Sequence, residues 1–76
     1  MSYQAYLTNI RTKTGKSPAE FRALAEKRGF TDGGLLTAGV KAGAIVKWLK
    51  KDFHLGHGHA MAIYALLKGL KNEDSP

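Results

Sequence analysis

Ala60-Met61-Ala62-Ile63-Tyr64-Ala65-Leu66-Leu67 runs for eight residues without a charge. Read as a helix from about His59 to Gly69, it leaves no polar face for two turns, the signature of a helix enclosed on most sides. Eight apolar residues fall far short of the roughly 20 that span a bilayer. The enclosing material must therefore be protein. Either the rest of this short chain wraps the segment, with the alanines allowing close approach, or part of it meets another chain.

Working outward, the residues before it supply helices. From about Lys41 to Phe53 the period is 3.6, and Ala42, Ile45, Val46, Leu49 and Phe53 fall within about 80° on a helical wheel. Lys47, Lys50, Lys51 and His54 occupy a neighbouring arc of about 100°, which gives this helix a basic face. Trp48 sits on the other flank beside Lys41, closing the core's edge or partly exposed. At the N-terminus, Tyr3, Tyr6, Leu7 and Ile10 share a face of a helix capped by Ser2 and ending near Lys13 to Gly15. Ser17-Pro18-Ala19-Glu20 is a capping box with proline at the first helical position, opening a helix that turns Phe21, Leu24 and Ala25 inward. Gly29 supplies the left-handed residue that ends it. Phe30 to Gly39, with Thr31-Asp32-Gly33-Gly34, reads as a connection with Leu35 and Leu36 tucked toward the core and room for one short helical turn. No convincing strand is found. The expected fold is all-α: a compact bundle of four main helices in one domain, residues 1–71, with residues 72–76 a frayed tail.

Composition bounds the function. In 76 residues there is room for one core, burying roughly 60% of the unfolded surface. Zero cysteines exclude a disulfide, a thiolate nucleophile and a thiolate zinc site. A reducing, cytoplasmic setting is the expectation, with no secretory signal at the N-terminus and no membrane partner. The net charge of +6 and pI of 9.9 favour phosphate partners, although residues 1–40 and 41–76 each carry six basic and three acidic side chains. Neither half is a basic arm. The local concentration is the lysine face.

Chemistry has few places to stand. Six carboxylates are scattered, and neither Ser2, Ser17 nor Ser75 belongs to a nucleophile elbow, so a non-enzymatic protein without a cofactor is expected. His54, His57 and His59 cluster, but their spacing is not diagnostic of a metal site and no cysteine assists. They read as a solvated residue, a loop-filling one and one that caps or packs against the last helix, with no metal expected. Gly56-His57-Gly58 before an alanine-rich helix is more telling, because amides at a helix N-terminus form an anion site. The first reading of the glycines is nevertheless a tight interhelical corner where they permit close packing, with phosphate binding as the alternative. Trp48, Met61 and Tyr64 are the candidate protein contacts, and the expected function is a small interaction module whose partner is a protein, including a second copy of itself. The competing expectation is non-specific nucleic-acid binding through Lys47, Lys50, Lys51, Gly56, His57, Gly58 and His59.

Two resemblances bear on this. Leu55-Gly56-His57-Gly58-His59-Ala60-Met61-Ala62 resembles the hairpin of helix-hairpin-helix modules, whose backbone amides hold a nucleic-acid phosphate; it departs at His57, where an apolar residue is usual. On a larger scale, Ser2-Tyr3-Gln4-Ala5-Tyr6-Leu7, Thr14-Gly15-Lys16-Ser17-Pro18, Gly39-Val40-Lys41-Ala42-Gly43, Ile45-Val46-Lys47-Trp48-Leu49 and Leu55 to Ile63 together resemble a bacterial family, domain of unknown function 4287. That resemblance implies a small bacterial helical protein, occurring alone or beside another uncharacterised domain, with no activity to carry over. The implied architecture is SAM-like or helix-hairpin-helix-like.

Overall fold

The computed structural model describes residues 2–74, in the order α1 (Tyr3–Thr14), α2 (Pro18–Lys27), β1 (Thr31–Asp32), β2 (Leu35–Leu36), α3 (Ala42–Phe53) and α4 (His57–Lys68). The chain is all-α in character, four helices with one minimal hairpin. Each helix end has a local cause. Ser2 Oγ accepts from the Ala5 amide at 3.2 Å to start α1, and Gly15, at φ 73°, closes it by donating to Arg11 O at 2.7 Å. Both halves of the Ser17–Glu20 capping box form, at 3.2 and 3.1 Å, which satisfies two amides that the first turn of α2 leaves unpaired. Gly29 ends α2 at φ 82°. There Phe30 N donates to Ala25 O at 2.9 Å and Gly29 N to Glu26 O at 3.0 Å, a Schellman pair. Gly69 repeats the arrangement at the end of α4.

The connection between α2 and α3 differs from expectation. It holds an antiparallel hairpin with Thr31 opposite Leu36 and Asp32 opposite Leu35, in place of a helical turn. Gly33 and Gly34 have φ of 64° and 87°, both left-handed, as a two-residue type I′ turn requires. Glu26 Oε1 accepts from the Gly33 amide at 3.0 Å and ties the turn to α2. α4 also begins earlier than expected, at His57, so the link from α3 shrinks to His54, Leu55 and Gly56.

α4 is the centre of the molecule. α1, α2, α3 and β2 all pack on it, and Ala60, Ala62, Ile63, Leu66 and Leu67 are buried. The rest of the chain therefore covers most of the apolar run, with Met61, Tyr64 and Ala65 left partly exposed. Small side chains at Ala60 and Ala62 let neighbours approach, and Tyr3 of α1 donates its hydroxyl to Ala62 O at 2.8 Å. Trp48, expected at the rim, is 4% exposed and lies in the core. Its ring packs with Phe30 and Phe53 at 5.2 and 5.7 Å, and Phe53 continues to Phe21 at 5.2 Å, an aromatic chain joining α2, the hairpin and α3. Within the expected tail, Glu73 meets side chains of α1 and α2. Its carboxylate pairs with both terminal nitrogens of Arg22, at 2.5 and 2.6 Å, and its carbonyl accepts from Gln4 Nε2. Residues 75 and 76 of the expected tail lie outside the described residues.

Candidate functional site

The helical period of α3 separates two faces. Ile45, Val46, Trp48 and Leu49 turn inward, leaving Lys47, Lys50 and Lys51 exposed one turn apart and His54 exposed at the helix end. A shallow groove runs between Gly43, Val46, Lys47, Lys50 and Lys51. The single acid of α3, Asp52, faces Arg28 of the α2 end, Nη1 to Oδ2 3.7 Å, rather than the lysines. Among the described residues, none of Lys47, Lys50 and Lys51 has a carboxylate partner. Their charge faces solvent.

At the end of this face the chain turns into α4. His54 takes the left-handed conformation, φ 57°, and Leu55, 2% exposed, plugs into the core and anchors the corner. Gly56 is the N-cap of α4, and Ala60 N makes the first helical bond, to Gly56 O at 2.9 Å. No side chain caps the amides before it and no acid stands in the first turn. Those N–H groups and the helix dipole leave a patch of uncompensated positive potential at the corner that follows the lysine face in the chain. His57 is exposed on the first turn, while His59 turns inward and meets the Tyr6 ring edge-on at 5.4 Å, with its Nε2 buried and unpartnered. Among the described residues, no three His, Cys, Asp or Glu side chains come together to hold a metal ion.

Neither backbone conformation nor packing requires the glycines of this corner, although glycine is a common residue at a helix N-cap such as Gly56. Gly15, Gly29, Gly33, Gly34, Gly39 and Gly69 all have positive φ, a conformation other residues rarely adopt. Gly56, at φ −70° and ψ 167°, is in extended backbone open to any residue, and a Cβ there would meet nothing within 4 Å. At Gly58 a Cβ would make only ordinary contact with Tyr6, at 3.8 Å. Close interhelical packing thus does not account for either. What they provide is a bare backbone at a helix N-terminus, approachable from outside. Sequence reasoning missed the companion, Gly43, in the first turn of α3, which also lacks a side-chain cap and has open space at the Cβ position. The signal was Lys41-Ala42-Gly43-Ala44, a helix start without a capping residue.

The protein-contact candidates are placed differently. Trp48 is in the core, though its edge reaches the floor of a depression between Arg28, Lys47 and Lys51. Met61 and Tyr64 are half-buried against the core, and the Lys68 ammonium lies 5.7 Å from the Tyr64 ring centre. No described helix is long and apolar enough to cross a membrane. No curated protein and no solved structure matches the chain. The family described as domain of unknown function DUF4287 matches residues 2–69, nearly the whole chain with its four helices and both halves of the α3–α4 corner, and the protein belongs to that family.

Proposed function

We propose that this is a non-enzymatic binding domain whose α3–α4 corner takes the phosphate backbone of a nucleic acid without reading its sequence. The observation that carries the proposal is the pair Gly56 and Gly58, which neither φ nor packing requires, at an uncapped helix N-terminus at the end of an unpaired lysine face. Backbone amides would hold one phosphate, and Lys47, Lys50 and Lys51 would supply the field along the strand. Protein interaction, the stronger reading from sequence, rested on the apolar run of α4 and on Trp48; the fold buries Trp48 and most of the run, while Met61 and Tyr64 stay half-buried at its surface. It becomes the second reading.

The test is an amide NMR titration of the full chain with a short DNA duplex at low salt. Shifts should concentrate at residues 54–62, and affinity should fall with salt at a log-log slope of about −0.9 per phosphate neutralised. Replacing Lys47, Lys50 and Lys51 by glutamine should flatten that slope by roughly 1 for each lysine that contacts a phosphate. Silence of residues 54–62 toward both DNA and RNA would sink the proposal.

A further inference from the structure

On the α1–α2 face the chain's own tail sits against Arg22 and Gln4. Arg22 presents its guanidinium fork to the Glu73 carboxylate, with Nη1 and Nη2 at 2.5 and 2.6 Å from the two oxygens. This two-bond geometry is the most specific way a protein holds a carboxylate. Gln4 of α1 donates to the carbonyl of the same residue, so side chain and main chain of Glu73 are both gripped. The Asp74 amide donates to Asn72 Oδ1 at 2.8 Å, a turn that presents Glu73 from its apex. Beyond the clasp a groove continues along Gln4, Leu7, Thr8, Arg11 and Pro18, with exposed Arg11 as a second cation on its wall.

Among the described residues of the tail, apolar anchorage is slight. Leu70, the large apolar side chain between α4 and the clasp, is 66% exposed, and Lys71 reaches back only to place its ammonium 5.9 Å from the Tyr3 ring centre. Polar, partly exposed contacts of this kind exchange readily for equivalent contacts from another molecule. We propose that the Arg22–Gln4 face is a docking site for an acidic peptide segment of a partner protein, masked by residues 72–74 as a built-in competitor. The incoming segment places a glutamate on Arg22 and its backbone carbonyl on Gln4, with a further acid toward Arg11.

The experiment uses a blocked synthetic peptide with the sequence of residues 70–74 as probe, titrated into the full chain and followed by amide shifts. Against Glu73→Gln, whose clasp is weakened, the peptide should saturate and move the amides of Gln4, Thr8 and Arg22. Against the unmodified chain its apparent affinity should be about fivefold lower, because the tail competes at the high effective concentration of a tethered ligand. Arg22→Lys in the Glu73→Gln background keeps the charge but loses the fork, and should weaken binding about tenfold. A peptide with glutamine in place of its glutamate should not bind. Substitution of Lys47, Lys50 and Lys51 should leave peptide binding unchanged. No saturable shift in Glu73→Gln at millimolar peptide, or equal affinity for Glu73→Gln and the unmodified chain, would overturn the proposal.

Discussion

Tyr3 shows how one side chain ties the first helix to the last. Its ring is buried and its hydroxyl must keep its proton to donate to Ala62 O. Burial pushes the hydroxyl pKa up to about 12; the nearby Arg22 charge pulls it down and Glu73 pushes it up. In the unfolded chain the same hydroxyl ionises near pH 10. Because the folded value is the higher one, its contribution is complete below about pH 10 and is lost as pH rises through about 12. Tyr3→Phe should cost about 1 kcal/mol at neutral pH in urea unfolding, and the variant should lose less stability than the parent between about pH 10 and 12. His54 is the opposite case, a residue held where its own backbone is strained. It is exposed at φ 57°, so His54→Gly should raise stability by up to about 1 kcal/mol in the same measurement. A loss of stability would mean that the imidazole makes a compensating contact.

At the level of elements, the first turn of α4 sets backbone freedom against helix strength. Glycine in a helix costs up to about 1 kcal/mol relative to alanine, and nothing near Gly58 forbids the larger residue. Gly58→Ala should raise the melting temperature by a few degrees, while Gly56→Ala with Gly58→Ala weakens oligonucleotide binding at least severalfold by holding a ligand off the amides. Thermal melts and the titration together check both parts, and binding unaffected by both methyl groups would show that no ligand approaches this backbone. The elements themselves were readable to different degrees. Ser2, the Ser17–Glu20 box, Gly15, Gly29 and Gly69 announced their helix ends because capping is a local event with a local residue signature. The hairpin was not readable, since strands of two residues are too short to show alternation, although Asp32-Gly33-Gly34-Leu35 held the turn chemistry. Lys47, Lys50 and Lys51 emerged from helical period alone, whereas the inward turn of Trp48 depends on Phe30 and Phe53 arriving from distant chain. The Arg22–Glu73 clasp spans 51 positions and leaves no mark on either neighbourhood.

The whole molecule is a small shell around one helix, and that makes its stability unevenly distributed. An 8.3 kDa chain without disulfides has a modest folding free energy, on the order of 5 kcal/mol. Ile63 is 0% exposed, in the core cluster and on the helix that α1, α2, α3 and β2 all pack against. Ile63→Ala removes three carbons where several elements would have to shift to close the gap. A cost of about 2 to 5 kcal/mol is expected, comparable with the entire stability of such a domain, and the variant should lose its cooperative thermal transition or unfold near room temperature. Leu35, on the hairpin and 64% exposed, provides the control of similar size. Leu35→Ala should stay within about 0.5 kcal/mol of the parent. The two circular-dichroism melts separate a molecule organised around α4 from one that depends equally on its hairpin: a Leu35→Ala loss as large as that of Ile63→Ala would extend the cooperative core into the hairpin and require α4 to be more loosely held than its burial implies.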